Sequence, residues 1–216
     1  MEYFDRVISL GQDCSVAGSL RTIKYKEYSY PFDWNITYLN FITDCFRTKF
    51  KNFETIFGKC TLCKIGKLCL HNNIHFYHDE LKVTEELIQK YIKRGQRLHN
   101  LLNENKKILF IRKAEYESQK NICDLIDVIL ENYPTLDFKI LLINRVVGDE
   151  DIDDKYTNYI IHRYKATECF TTYSSGRFKH RSIKKSYKCV YTELLNNIKS
   201  ERFTQPPDRD LDPIND

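Results

Sequence analysis

Cys14 stands where an apolar run gives way to a helical pattern, in Ser9-Leu10-Gly11-Gln12-Asp13-Cys14-Ser15-Val16-Ala17-Gly18-Ser19-Leu20. Val7, Ile8 and Leu10 read as a short buried strand, and Gly11 permits a tight turn. Val16, Ala17, Leu20 and Ile23 then recur at helical spacing. Cys14 is therefore expected in or just before the first turn of a helix. Unsatisfied backbone N–H groups and the positive end of the helix dipole there favour thiolate over thiol. The same groups can hold an oxyanion, which makes Gly11, Gln12 and Asp13 candidate substrate-binding residues. The competing reading is an inert, half-buried cysteine beside a turn glycine.

Tyr30-Pro31-Phe32-Asp33-Trp34 follows the helix, and Ile74-His75-Phe76-Tyr77-His78-Asp79 follows after a gap. Together, Ser-Leu-Gly-x-Asp-Cys, Pro-Phe-Asp-Trp and Phe-x-His-Asp resemble a family of bacterial and large-virus proteins catalogued as papain-like cysteine peptidases. The resemblance is closest over residues 6–80, continues more weakly to about residue 145, and finds no motif in the C-terminal third. Cys14, Asp33, Trp34, His78 and Asp79 fall on the family's motif positions. The resemblance thus implies a thiol nucleophile with a histidine partner. A protein or peptide substrate is implied by the family's label alone.

A cysteine nucleophile needs a base, and the base needs a group that orients it. His78 is the first candidate for the base, because it ends the Ile74–Tyr77 alternation where a strand would deliver it to an edge. Asp79 should point away if that strand continues, which leaves Asp33 as the expected orienter. Trp34 reads either as a wall of the substrate cleft or as core. Two histidines rival His78: His75 in the same segment, and His180 in a loop before a final helix.

Cys60-x-x-Cys63 followed by Cys69-x-His71 is a second constellation, with thiolate and imidazole groups in the number a structural zinc site requires. Alternation around Gly66 offers the plainer reading, in which Cys63 and Cys69 are simple strand residues. No other cofactor is expected. The chain has no P-loop, dinucleotide-binding glycine fingerprint or paired-histidine metalloprotease helix.

Thirty-four basic and 30 acidic side chains leave a net charge of +4, too small to imply nucleic-acid binding without clustering. The basic residues do crowd one stretch, Arg177, Lys179, His180, Arg181, Lys184, Lys185 and Lys188, with Tyr173, Phe178 and Tyr187 among them. Acidic residues crowd another, Asp149 to Asp154. Such runs are usually solvated faces. The eight cysteines lie in patterned segments without an apolar leader or a membrane-length run, so free thiols, a cytoplasmic location and no membrane partner are expected. Abundant Lys, Asn, Ile and Tyr fit an AT-rich genome such as a large DNA virus, for which the location would be the host cytoplasm.

The elements that must position these residues read as strand 5–10, helix 14–25, helix 37–50, a hairpin around 60–77, and helix 84–102. Lys107–Ile111 and Phe138–Ile143 are apolar runs flanking a helix that contains Cys123–Leu130. Such strands, apolar on both faces, mark a parallel βαβ unit. Asn158–Tyr164 adds a strand and Ile183–Ile198 a last helix. The expectation is a single α/β domain over 1–200, with a mainly parallel sheet sandwiched by helices, the hairpin as an insertion, and a disordered tail over 201–216. This is not papain's two-part fold.

The leading functional expectation is a cysteine-dependent hydrolase or acyl-transfer enzyme built on Cys14, His78 and Asp33. One alternative is a non-catalytic protein that binds a host or cellular partner through its basic, aromatic C-terminal third. Another is an esterase-like hydrolase pairing Cys14 with His180.

Overall fold

A computed structural model describes residues 2–64, 66–70, 73–79, 81–113, 117–144, 154–165 and 198–200. In chain order the elements are β1 (Glu2–Phe4), β2 (Arg6–Ser9), α1 (Cys14–Thr22), β3 (Ile36–Thr37), α2 (Leu39–Arg47), α3 (Phe53–Phe57), β4 (Thr61–Leu62) and β5 (Leu68–Leu70). They continue with β6 (Ile74–Phe76), α4 (Glu85–Leu102), β7 (Lys107–Lys113), α5 (Gln119–Asn132), β8 (Asp137–Asn144), α6 (Asp154–Thr157), β9 (Ile160–Lys165) and β10 (Ile198–Ser200).

The expected parallel sheet is present: β2, β7, β8 and β9 lie side by side in that order, each pair parallel. Its apolar continuity follows from burial on both faces. Ile108 and Phe110 of β7 join Ile8, Ile140 and Leu142 in a core shared with α2, α4 and α5. Leu109 and Ile111 face the other way, packing with Val7, Leu141, Ile143 and the Val16 and Leu20 side chains of α1. Helices therefore cover both faces, and α1 is pinned to its own side by residues at i and i+4.

Residues 60–77 form more than a hairpin. β4, β5 and β6 are antiparallel, and β3 adds to β6 through Ile36 with His75 and Thr37 with Ile74, giving a four-stranded sheet ordered β3-β6-β5-β4. Its inner face, with Leu68, Ile74 and Phe76, joins the main core, where Phe76 stacks on Phe57 and meets Tyr91 edge-on. The segment from Pro31 to Tyr38 thus links the two sheets.

Other boundaries shift modestly. The first expected strand, 5–10, is β2 over Arg6–Ser9, and β1 before it pairs with β10 in a separate parallel ribbon. The expected last helix falls outside the described residues except at Ile198, which is strand rather than helix. His71, the whole basic stretch with His180, and residues 201–216 also lie outside the described residues.

Candidate active site

The turn between β2 and α1 has a backbone that few residues can follow. Gly11 has φ +71°, and a Cβ placed on it would stand 2.0 Å from Thr37 Oγ1 and 3.1 Å from the Phe32 carbonyl. Both the left-handed conformation and the close approach require glycine. Gln12 follows at φ +78° without that excuse. Asp13 then caps α1: its Oδ1 accepts the Ser15 amide at 2.8 Å, and Cys14 becomes the first helical residue. Cys14 is partly exposed, so it is not sealed in hydrocarbon.

A lysine that the sequence reading passed over holds the cap. Lys113 Nζ, at the carboxyl end of β7, lies 2.6 Å from Asp13 Oδ2. Burial pushes the Asp13 carboxyl up, but the Lys113 charge and hydrogen bonds from Lys113 and Ser15 outweigh it and leave the group below its ordinary value. Asp13 is therefore a fixed anion supporting the turn.

Beneath the turn lies a buried polar hub. The Gln12 amide donates to Thr37 Oγ1 at 3.1 Å. Arg112, fully buried, donates to the Leu10 carbonyl at 2.8 Å and the Thr37 carbonyl at 3.1 Å, and pairs with Glu117. An uncompensated guanidinium here would cost several kcal/mol, so the Glu117 partner and the carbonyls are what make the site tolerable. The hub joins the end of β2 to β3, and through β3 to β6.

The Pro31–Asn35 loop forms the next layer. Asp33 is fully buried; it pairs with Lys26, its Oδ2 accepts the Tyr30 amide at 2.6 Å, and its Oδ1 has no hydrogen-bond partner. The expected orienting bond from Asp33 to His78 is therefore absent in this conformation. Its charge is drawn to the buried ammonium and fixes the loop instead. Asn35 donates to the Pro31 carbonyl at 3.0 Å and to Tyr91 Oη at 2.9 Å. Tyr91 in turn donates to Asp79 Oδ2 at 2.6 Å, and Lys90 lies 2.7 Å from Asp79 Oδ1. β6 has ended at Phe76, so Asp79 does not continue a strand; α4 holds it in place.

Trp34 packs beside α1 and near the His78 ring. A Cβ on Gly18, one helical turn from Cys14 on the same face of α1, would stand 3.8 Å from the indole. The His78 ring lies edge-on to Trp34 at 6.3 Å between centroids. Trp34 is buried yet has φ +64°, a conformation that a bulky residue rarely adopts. Among the described residues three other non-glycines, Lys24, Lys49 and Phe50, have positive φ, and each follows the end of α1 or α2. There, 2.9 Å and 2.8 Å hydrogen bonds from Tyr25 to Leu20 and from Phe50 to Cys45 close ordinary helix-terminating turns. Gln12 and Trp34 have no such explanation, and strain of about 1–3 kcal/mol per residue tends to collect at functional sites.

His78 is exposed. His75 is turned elsewhere: one ring nitrogen gathers with the thiols of Cys63 and Cys69, all within 4.8 Å, and its ring packs near Tyr38. His71 of the expected metal group lies outside the described residues. His75 joins Cys63 and Cys69, whereas Cys60 Sγ donates to the Ile56 carbonyl at 3.3 Å. No disulfide joins Cys14, Cys45, Cys60, Cys63, Cys69 and Cys123 to one another. No helix among the described residues is long and apolar enough to cross a membrane.

Thr37, Arg112, Lys113, Asn35 and Tyr91 complete the site's supports without having been expected. Arg112 and Lys113 did leave a sequence signal, two cations closing an otherwise apolar run at the strand end where a parallel sheet gathers its functional loops.

Residues 5–148 match the sequence model of a family described as "Putative papain-like cysteine peptidase". An uncharacterized protein of Acanthamoeba polyphaga mimivirus is 31% identical over 191 residues, covering 71% of this chain and 85% of the viral protein. No solved structure matches.

Proposed function

We propose that this chain, which belongs to the papain-like cysteine peptidase family matched over residues 5–148, is a cysteine hydrolase with Cys14 as nucleophile and His78 as base. The observation that carries the reading is the setting of Cys14: a partly exposed thiol at the first position of α1, at the carboxyl edge of a parallel sheet, on a strained and heavily braced turn. A helix terminus alone favours a thiolate by only about 0.3–1 kcal/mol. A neighbouring imidazole is needed as well, and the edge-on contact of His78 with Trp34, which also packs beside α1, supports His78 in that role.

In this reading the Cys14 thiolate attacks the substrate carbonyl while the His78 imidazolium protonates the leaving group. His78 then takes a proton from the water that releases the acyl group. Amides at the start of α1 hold the oxyanion; those of Gln12 and Ser15 are already engaged by Thr37 and Asp13, which favours the positions between them. Asp33 and Asp79 are positioning residues. Asp33 anchors the loop that carries Trp34, and Asp79 ties the backbone after His78 to α4. A protein or peptide substrate belongs to the same proposal.

The strand–turn–helix setting of the thiol also fits an esterase-like hydrolase, in which His180 would supply the base. One experiment separates these readings. Alkylation of the native chain by iodoacetamide, followed by peptide mass analysis, should label Cys14 fastest of the eight thiols. The rate should follow a thiolate titration that His78→Ala shifts upward and His180→Ala leaves in place. A shift with His180→Ala alone selects the esterase-like arrangement. Equal labelling of all eight thiols removes the enzymatic reading and leaves the partner-binding one.

A further inference from the structure

The outer face of the antiparallel sheet carries the second cluster of reactive side chains. Cys69 and His75 are directly opposed across β5 and β6. Cys63 sits at the mouth of the tight turn that joins β4 to β5, where its amide donates to the Lys67 carbonyl at 2.8 Å and its carbonyl accepts the Gly66 amide at 2.8 Å. Pairing of Leu62 with Leu68 and Thr61 with Cys69 sets Cys63, Cys69 and His75 on one face, since side chains alternate along each strand. The inner face of the same strands is filled by Leu68, Ile74 and Phe76, so the clustering is fixed by the register that buries the core.

We propose that Cys63, Cys69 and His75 form a structural binding site for a thiophilic divalent cation of the zinc class. Their ligand atoms all lie within 4.8 Å of one another. A tetrahedral zinc ion with sulfur at ~2.3 Å and nitrogen at ~2.0–2.1 Å needs its ligand atoms roughly 3.5–3.8 Å apart. Small side-chain rotations, with no change of strand register, cover the difference. The two thiols bind as thiolates, each giving its proton to solvent, and His75 binds as neutral imidazole, so no redox partner is involved. Soft sulfur and imidazole donors select zinc over magnesium or calcium, which prefer oxygen.

The ion would clamp β6, the strand that runs directly into Tyr77 and His78, and would remove His75 from any role as base. Metal binding does not depend on the hydrolase reading, because it involves neither Cys14 nor His78.

The test is metal content and cobalt spectroscopy on the full chain, purified under reducing conditions without chelator. Elemental analysis should find about one zinc per chain, also in Cys14→Ser, with loss to background in Cys69→Ser and His75→Ala. Adding cobalt(II) to the metal-free wild-type chain should give thiolate-to-cobalt charge-transfer absorption that zinc then abolishes, a readout that does not require the variants to fold. A metal-free chain that gives no such absorption with excess cobalt overturns the proposal. So does a non-reduced mass lower by two hydrogens that maps to a Cys63–Cys69 disulfide.

Discussion

Replacing Gly11 by alanine isolates the contribution of the turn that displays Cys14. The added methyl meets Thr37 Oγ1 at 2.0 Å, the Phe32 carbonyl at 3.1 Å and Thr37 Cβ at 3.3 Å, at a φ of +71°. The left-handed conformation costs an L-residue about 1–2 kcal/mol. Overpacking a tight interior adds about 1–3 kcal/mol. Gly11→Ala should therefore destabilise the chain by about 2–5 kcal/mol, a large share of the ~5–15 kcal/mol available to a domain. Thr37→Ala removes the most severe contact, but it also takes away the acceptor of the Gln12 amide. In Gly11→Ala/Thr37→Ala the conformational cost persists while much of the clash disappears, so the double variant should recover about 1–2 kcal/mol relative to the sum of the singles. Urea unfolding measures all three variants. Alkylation of Cys14 in the folded fraction should slow in both single variants, because the shared hub sets the start of α1. A Gly11→Ala loss below about 1 kcal/mol, or single effects additive within about 0.5 kcal/mol, would refute the packing argument.

Tyr91→Phe deletes the hydroxyl joining Asn35 to Asp79 and should cost about 1–3 kcal/mol, with a lower turnover than Asp33 or Lys26 variants of equal stability, since it loosens the backbone beside His78. Lys26→Met leaves the Asp33 charge buried and should lose about 3–5 kcal/mol, much of it regained in Lys26→Met/Asp33→Asn; an unimproved double variant would show that Lys26 acts through packing. Because the Asp13 carboxyl is depressed in the folded chain, its contribution is fully present above the ordinary carboxylate value near pH ~4 and is lost as pH falls through the lower folded value. Wild type should accordingly lose stability below about pH 4 more steeply than Asp13→Asn, and parallel acid-unfolding curves would remove Asp13 from the account. Zinc added at about 100 times its dissociation constant should raise the unfolding free energy by about 2.7 kcal/mol in the wild type and leave His75→Ala unchanged in thermal unfolding.

How much the sequence reveals depends on whether a position is fixed locally or by register. The parallel unit is legible because β7 and β8 are buried on both faces, which forces near-continuous apolar runs that few other settings tolerate. Cys14 at a helix start is legible too, since Gly11, a capping Asp13 and helical periodicity are all local signals. Asp33 misleads for a physical reason. A carboxylate beside a tryptophan in a proline loop gives no indication that Lys26, seven residues earlier, will be buried against it. The cluster on the antiparallel sheet is hidden for a similar reason. Cys60-x-x-Cys63 follows a familiar spacing, but Cys63, Cys69 and His75 fall at every sixth residue, an even interval that alternation keeps on one face once the turn and pairing are known. Proximity in sequence points to His71; cross-strand pairing favours His75.

The segment from Pro31 to Thr37 ties the sheet that leads into Cys14 to the sheet that leads into His78, the pair that the proposed reaction needs in one geometry. Cys14 follows β2 of the parallel sheet and His78 follows β6 of the antiparallel one, so their separation would vary with any sliding between the sheets. Successive residues of this segment oppose that sliding: Asp33 pairs with Lys26, Trp34 packs beside Gly18 and His78, Asn35 bonds Tyr91, and Thr37 receives the Gln12 amide and the Arg112 guanidinium. These are mostly buried polar contacts, directional and intolerant of small displacements, unlike the apolar packing around them. The clamp on β6 from Cys63, Cys69 and His75 would act on the same coordinate from the far side. Loosening this segment should therefore separate stability from reactivity: a variant such as Asn35→Ala, which leaves the nucleophile and base in place, should slow Cys14 alkylation and flatten its pH profile even where the fold persists. An unchanged profile in a folded Asn35→Ala chain would mean that the thiol is activated without His78.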